Sequence, residues 1–307
     1  MRYNKYNYRI PGEYTIRVIT DTDAKNEADD QFAIVHALLT PRFDNRGIIA
    51  AHFGNQKSST SMEDSYNEIL KVLELMDMEP ALAYKGAKQP LPDENTPVCS
   101  KGAELIIEEA LKDDSRPLFV TFLGPLTDIA SAYLLEPRIA DRLTVIWIGG
   151  EGYPAGGDEY NLSNDVNAAN VVFKSKMPLW QVPKNVYQKV LVSIAELECR
   201  VKPRGEIGDY LFTQLEEYQY KKFANPKSRT SKTGEQWCLG DSPAVGLLLF
   251  DHPHSYEWRP APEFTREMYY IHNGKNRAIR VYKDIDPRFI MEDFYCKLEL
   301  FAQKSNR

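Results

Sequence analysis

No CxxC pair occurs among the four cysteines, Cys99, Cys199, Cys238 and Cys296, so neither a zinc site nor a disulfide framework is expected. Scattered thiols of this kind suit a reduced, cytoplasmic protein. No apolar run approaches the ~18–20 residues that a membrane span needs. The opening stretch, MRYNKYNYRIPGEY, lacks the apolar centre of a secretory signal. Basic residues never gather into a patch and the net charge is -6, which argues against a nucleic-acid partner. Linkers, internal repeats and low-complexity tracts are also missing. A chain of 307 residues is therefore expected to form one domain over 1–307. With 43% hydrophobic and 27% charged residues, the composition is that of an ordinary globular protein.

What the chain does concentrate is acid. In the stretch from Tyr14 to Leu39, Thr15 to Thr20 reads as a short buried strand. From Asp29 onward, Phe32, Ile34, Val35, Leu38 and Leu39 fall at helical spacing. Four carboxylates lie between: Asp21, Asp23, Asp29 and Asp30. A loop that joins strand to helix in this way stands at the carboxyl edge of a parallel sheet, where open α/β folds bind ligands. Acids so close repel one another and raise each other's pKa. They either fan out into water or gather a cation, and all-oxygen ligands suit Ca²⁺ or Mg²⁺. Asp29 also reads as a plain helix N-cap.

The remainder alternates strand, glycine or proline turn, and helix. Strands are expected at 47–53, 81–84, 118–123, 143–148 and 178–182, with helices at 61–76, 102–111 and 126–135 between them. Helical pattern then dominates, most clearly in 206–220. Two late strands, 267–271 and 278–282, precede a final helix at 287–301. This order predicts an α/β domain with a single open mixed, mostly parallel sheet flanked by helices and a helical insertion near the C-terminal third.

DTDAKNEADD, residues 21–30, resembles the DxDxxxDD signature of the nucleoside hydrolases, calcium-dependent N-ribohydrolases related to the inosine–uridine-preferring enzymes. It departs from that pattern in having five residues, Ala24 to Ala28, before the second acidic pair, where the common form has three. The usual Pro-Gly is absent too. Four later blocks match in order. Gly54-Asn55 ends the second strand, and Leu123 precedes Gly-Pro-Leu-Thr-Asp (124–128) with Asp128 in place of Asn. Glu159-Tyr160-Asn161 leads to Asp165-Val166-Asn167-Ala168-Ala169, and Gly240-Asp241-Ser242-Pro243 opens a helix drawn from Pro243 to Phe250.

The resemblance implies a Rossmann-like core, a bound Ca²⁺, a nucleoside substrate, a homodimer or homotetramer, and a place in purine or pyrimidine salvage. It assigns calcium to Asp23, Asp30, Asp241 and the carbonyl of Leu123, with Asp23 as the base that takes a proton from water. Ribose would be held by Asp29, Asn55, Glu159, Asn161 and Asp241, since carboxylates and amides suit a polyol. Taken alone, Gly54-Asn55 is a turn and 159–161 a polar loop. Gly240 stands where many members carry a histidine that helps the base leave. Trp237 either stacks on the base or belongs to the core. Tyr153 is the candidate for a 5′-hydroxyl contact, and His252 and His254 read as surface residues.

Two rival readings exist. A phosphatase of the haloacid-dehalogenase type also begins with DxD, but Ala24-Lys25 follows, and neither Asp158 nor Asp241 has an acid four residues on. A non-catalytic ribose- or nucleoside-binding protein would retain the calcium site without turnover.

Overall fold

β1 (Ile16–Thr22) forms the axis of the fold, and all seven of its residues are buried. A parallel strand covered on both faces by helices is apolar or satisfied on both sides, which is why this run does not alternate with polar residues. The structure is a computed structural model that describes residues 1–224, 233–249 and 255–305. From β1 the chain continues through α1 (Asp30–Leu39), β2 (Phe43–Ala50), α2 (Ser61–Leu75), β3 (Ala83–Lys85) and α3 (Lys101–Leu111). Next come β4 (Leu118–Phe122), α4 (Thr127–Leu135), β5 (Thr144–Ile148), α5 (Tyr160–Asn164), α6 (Val166–Lys174) and β6 (Leu179–Val182).

The helical part holds α7 (Lys184–Tyr187), β7 (Leu191–Ser193), α8 (Ile194–Arg200), α9 (Gly205–Phe223), β8 (Gln236–Cys238) and α10 (Pro243–Gly246). It is tied off by the antiparallel pair β7–β8. The chain ends with β9 (Tyr256–Pro260), β10 (Glu263–Phe264), β11 (Tyr270–Ile271), β12 (Ala278–Tyr282) and α11 (Pro287–Ser305).

Eight strands make one open sheet in the order β3-β2-β1-β4-β5-β6-β12-β9. Every pairing in it is parallel except β12 with β9, so the sheet is mixed and mostly parallel as expected. Successive strand residues face opposite layers. Val18 and Ile48 pack with Phe32, Val72 and Phe294, whereas Ile19, Ile49 and Val120 pack with Ile106, Ile129 and Val172. All ten residues of α1 are buried, because it is enclosed by the sheet, α2, α10 and α11.

The order reverses between β1 and β4, one leading outward through β2 and the other through β5. Loops diverge from such a switch point at the carboxyl ends of the strands, leaving a crevice. Asp23 follows β1 there and Leu123 follows β4.

Several boundaries differ from the sequence expectation. β1 runs on to Thr22, so Asp21 is inside the ladder, opposite Ile49 and Phe122. The strand expected over 267–271 shrinks to Tyr270–Ile271, because Met268 has φ 67 and a turn returns Met268 N–H to the Thr265 carbonyl. Edge strand β9 was not anticipated, and its antiparallel run is what makes the sheet mixed. The helix drawn to Phe250 is seen as Pro243–Gly246, with Phe250, His252 and His254 outside the described residues.

Candidate active site

Asp23, Asp29, Asp30, Leu123, Glu159, Asn161 and Asp241, seven of the residues singled out from sequence, line one cavity at the switch point. Asn26, Glu27, Ile148, Tyr160, Tyr187 and Gly240 complete its wall. Asp30 opens α1 and accepts a hydrogen bond from Thr22 Oγ1 at 2.5 Å. Asp29 occupies the N-cap position, yet its side chain makes no capping bond, which rules out the plain N-cap role. Its carboxylate instead meets the backbone N–H of Gly240. One oxygen each of Asp29, Asp30 and Asp241 lie within 4.8 Å of one another. The ligand set implied by the resemblance has Asp23 rather than Asp29; Asp23 lies on the cavity wall, with Oδ2 buried and without a partner.

Asp21 does not join the other acids. It is buried in β1 on the face of Ile19, beside Asp128. Burial first, then the charges of Asp128 and Asp23, drives its carboxyl well above the usual range. Asp128 is pushed up to about 6 by burial, against hydrogen bonds from Ser100 and the N–H of Ala87. The two-residue extension of β1 is the reason: a residue held in the ladder cannot turn into the loop.

Acid concentrates in the cavity, whose wall holds Asp23, Glu27, Asp29, Asp30, Glu159 and Asp241. Burial, followed by repulsion from neighbouring acids (first Glu27 for Asp29, Asp23 for Asp30 and Asp29 for Asp241), holds all three well above the ordinary carboxylate range. Asp23 is raised by burial as well, with the Lys57 ammonium opposing the shift. Carboxylates so placed either take up protons or share a cation. The all-oxygen donor set and the orphaned Asp23 Oδ2 fit a hard cation.

Glu159 caps α5 and accepts from four donors: the N–H groups of Gly150 (2.8 Å), Asn161 (3.2 Å) and Leu162 (2.9 Å), and the Tyr187 hydroxyl (2.9 Å). That occupies the roughly four lone-pair sites of a carboxylate. A sugar hydroxyl reaches Glu159 only by displacing one of them, and Tyr187 is the side-chain donor. Asn161 commits both N–H donors, to the carbonyls of Leu123 (2.7 Å) and Ile148 (2.8 Å), which leaves its acceptor for a ligand.

Three sequence candidates fall outside the cavity. Asn55 is exposed on the turn that follows Gly54, whose φ of 72 swings the chain outward. Trp237 lies in β8, buried in the core, with Tyr218 edge-on at 5.8 Å and the Lys222 ammonium 5.1 Å from its ring centre. Pairing of β8 with β7 holds it there, opposite Val192. Tyr153 directs its hydroxyl to Gln181 at 2.7 Å, with Arg259 over its ring, and is not among the residues that line the cavity. Replacing Trp237 by Ala is expected to lower stability by about 3–5 kcal/mol through the cavity it leaves. Losses in turnover should then be equal for every substrate; a loss confined to one class of leaving base would return Trp237 to the site.

Sequence reasoning missed Asn26, Glu27 and Tyr187. The first two had a visible signal, since they belong to the longer acidic loop. Tyr187 had none. A Cβ built on Gly240 would stand 3.0 Å from Tyr187 Cδ2 and 3.5 Å from Asp29 Oδ2. The phenol ring thus takes the space of the side chain missing at 240. Restoring the common residue with Gly240→His is expected to overpack the wall, at a cost of about 1–3 kcal/mol. Adding Tyr187→Ala should recover part of that loss; a fully stable Gly240→His single variant, read by melting temperature, would contradict it.

A family model described as inosine-uridine preferring nucleoside hydrolase matches residues 18–291. Among curated proteins, the chain is 25% identical over 228 residues to "Probable uridine nucleosidase 2" of Arabidopsis thaliana, covering 66% of this chain and 69% of that one. It is 24% identical over 330 residues to "Pyrimidine-specific ribonucleoside hydrolase RihA" of Salmonella typhi, covering 93% and 99%. For some other Salmonella RihA sequences the match spans 64% of their length and for others 99%. A purine-preferring ribonucleoside hydrolase from Gardnerella vaginalis superposes with a TM-score of 0.75 at 20% identity, covering 94% of this chain and 99% of that one. An inosine-uridine preferring nucleoside hydrolase from Bacillus anthracis gives 0.61 at 16% identity, covering 94% and 100%. At such identities these two structures share the fold.

Proposed function

Because the chain belongs to the inosine-uridine preferring nucleoside hydrolase family, we propose that it hydrolyses the N-glycosidic bond of ribonucleosides to free base and ribose, with Asp23 taking the proton of the attacking water. The observation that carries this reading is the ring of acids at the switch point, Asp23, Asp30 and Asp241 buried and Asp29 half-buried, faced by Asn161. Asp23, Asp30, Asp241 and the Leu123 carbonyl would hold a cation, and calcium is the choice that an all-oxygen set favours. When bound, such an ion supplies positive charge that makes a nearby water more acidic.

The remaining work falls to the side chains. Asp23 Oδ2 is a buried acceptor without a protein donor on the cavity wall, so it can accept the proton of the water. Asp29, Asp241 and the Asn161 acceptor face the cavity and suit ribose hydroxyls, and hydrogen bonds to ionised acceptors are the strong ones. Glu159, saturated by its own donors, keeps the wall in shape and reaches the sugar if Tyr187 yields. Asn55 and Trp237 stay outside this set because of where they stand. As C1′ gains oxocarbenium character, the acids beside it stabilise the positive charge that develops.

One domain over 1–307, a homodimer or homotetramer, and a cytoplasmic place in nucleoside salvage accompany this proposal; the resemblance supports them. Among the described residues no helix is long and apolar enough to cross a membrane. Ribose release from inosine, uridine and 4-nitrophenyl riboside, with calcium present, tests the proposal. A nucleoside-binding protein without turnover would bind these compounds and release no sugar.

A further inference from the structure

A departing base needs somewhere to put its negative charge, and the usual histidine is replaced by Gly240. None of the described histidines lines the cavity. His36 pairs with Asp293, His52 with Thr127, and His272 with the carbonyl of Pro154. The Tyr187 hydroxyl is committed to Glu159. Lys222 is committed as well: its ammonium holds Glu27 at 2.7 Å and lies over the rings of Tyr218 and Trp237.

A different cation reaches the rim of the cavity. Lys57 sits on the exposed loop after β2, yet its ammonium turns inward. It donates to Asn26 Oδ1 and to the Asn26 carbonyl at 3.4 Å, and stands 4.3 Å from the centre of the Tyr160 ring. Both Asn26 and Tyr160 line the cavity. Asn26 belongs to the lengthened acidic loop, and the Tyr218 hydroxyl fixes its carbonyl from α9 at 3.1 Å. The extra length of that loop therefore places an anchor for Lys57 beside the acids. Ribose seated on Asp29, Asp241 and Asn161 would leave its base to the rest of the cavity wall, which includes Asn26 and Tyr160.

We propose that Lys57 serves the departing base, its ammonium donating a proton to a ring nitrogen or carbonyl oxygen of the base as the C1′–N bond breaks. This rests on the reading of the protein as a ribonucleoside hydrolase. The electron pair of the C1′–N bond stays with the base, and the proton from Lys57 neutralises it. The oxygen of water bonds to C1′, its proton passing to Asp23. One proton returned from Asp23 to Lys57 through solvent restores both groups, so the sum is nucleoside plus water giving base plus ribose.

The surroundings of Lys57 suit that task. Burial draws its ammonium below the usual lysine range, which improves it as an acid near neutrality. Glu27, Asp23 and Asp30, from the loop and α1, oppose that shift and keep it protonated; Lys222 on α9 adds to it. Tyr160 presents the ring against which the ammonium rests.

The test compares leaving groups within single variants, so a change in the folded fraction cancels. Lys57→Gln, Lys57→Arg and Asn26→Ala would be assayed in the calcium-loaded protein with inosine, uridine and 4-nitrophenyl riboside. Lys57→Gln is expected to lose roughly 100-fold or more in kcat/KM on both nucleosides and less than about threefold on the nitrophenyl riboside, whose leaving group needs no proton. Its pH profile should lose the alkaline limb. Lys57→Arg, which keeps the charge but holds its proton, should retain KM and lose kcat. Asn26→Ala should show the same selectivity with a smaller loss than Lys57→Gln, because the acid is misplaced rather than removed. Equal losses on all three substrates, or none on any, would overturn the role of Lys57 while leaving the hydrolase reading intact. A wild-type protein that releases ribose from none of the three would overturn that reading, and this inference with it.

Discussion

Asp23→Asn is expected to lower turnover by roughly two to four powers of ten, the usual weight of a general base. The amide keeps an oxygen beside the cation and nearly the same volume, so the cavity should stay in shape. What it loses is an acceptor for the proton of water, because an amide is not protonated near neutrality. Asp23 Oδ2 is buried and unpartnered, so no bond within the protein compensates for the change. Binding of a ribose-like inhibitor should change far less than kcat, since Asp29, Asp241 and Asn161 remain. Near-normal turnover with Asn at 23 would remove the assignment, and a parallel collapse of inhibitor binding would recast Asp23 as a ligand only.

Stripping the metal with a chelator is expected to abolish activity and to lower the melting temperature, with both restored by calcium. A cation present at a hundred times its dissociation constant stabilises by about 2.7 kcal/mol, worth roughly 5 °C for a chain of this size. The pH dependence gives this test its sign. Asp29, Asp30 and Asp241 have folded pKa values above their unfolded ones, so the stripped fold binds more protons than the unfolded chain. The stability contributed by those protons is complete below the ordinary carboxylate range and is lost as pH rises. Calcium competes with the same protons. The difference in melting temperature between loaded and stripped protein should therefore grow from pH 5 to pH 8. A difference that is absent, or that shrinks as pH rises, would mean that these acids do not share a cation.

The strand, acidic turn and buried helix of 15–39 were legible because their signals are local: β-branched alternation, apolar spacing of helical period, and acids at the junction. The sheet followed from repetition of that unit, and the motif blocks at 54, 123, 159 and 240 marked the loops gathered at its carboxyl edge. Single residues were harder. Asp21 and Asp23 look alike in sequence, and two more ladder positions in β1 send one to Asp128 and leave the other in the cavity. Asn55 follows a matching Gly54, yet the backbone there turns it outward. Trp237 carries no local mark that distinguishes a core indole from one that stacks on a base; the fold pairs it opposite Val192 and buries it in the core.

The sequence by itself determined the alternating α/β architecture, the switch-point loops, the concentration of acid, and the family resemblance carried by ordered blocks. Each of these depends on neighbours within a few residues, or on order along the chain, and both are visible in one dimension. Only the tertiary structure decided which groups meet. Gly240 receives the ring of Tyr187, Asp29 meets the backbone of Gly240, and Lys57 reaches Asn26. These contacts join segments that the parallel crossovers bring to one edge of the sheet, and no local pattern records a partner so distant in the chain. The physical reason is that burial and charge compensation act through space, so an acid's fate depends on what the fold sets beside it.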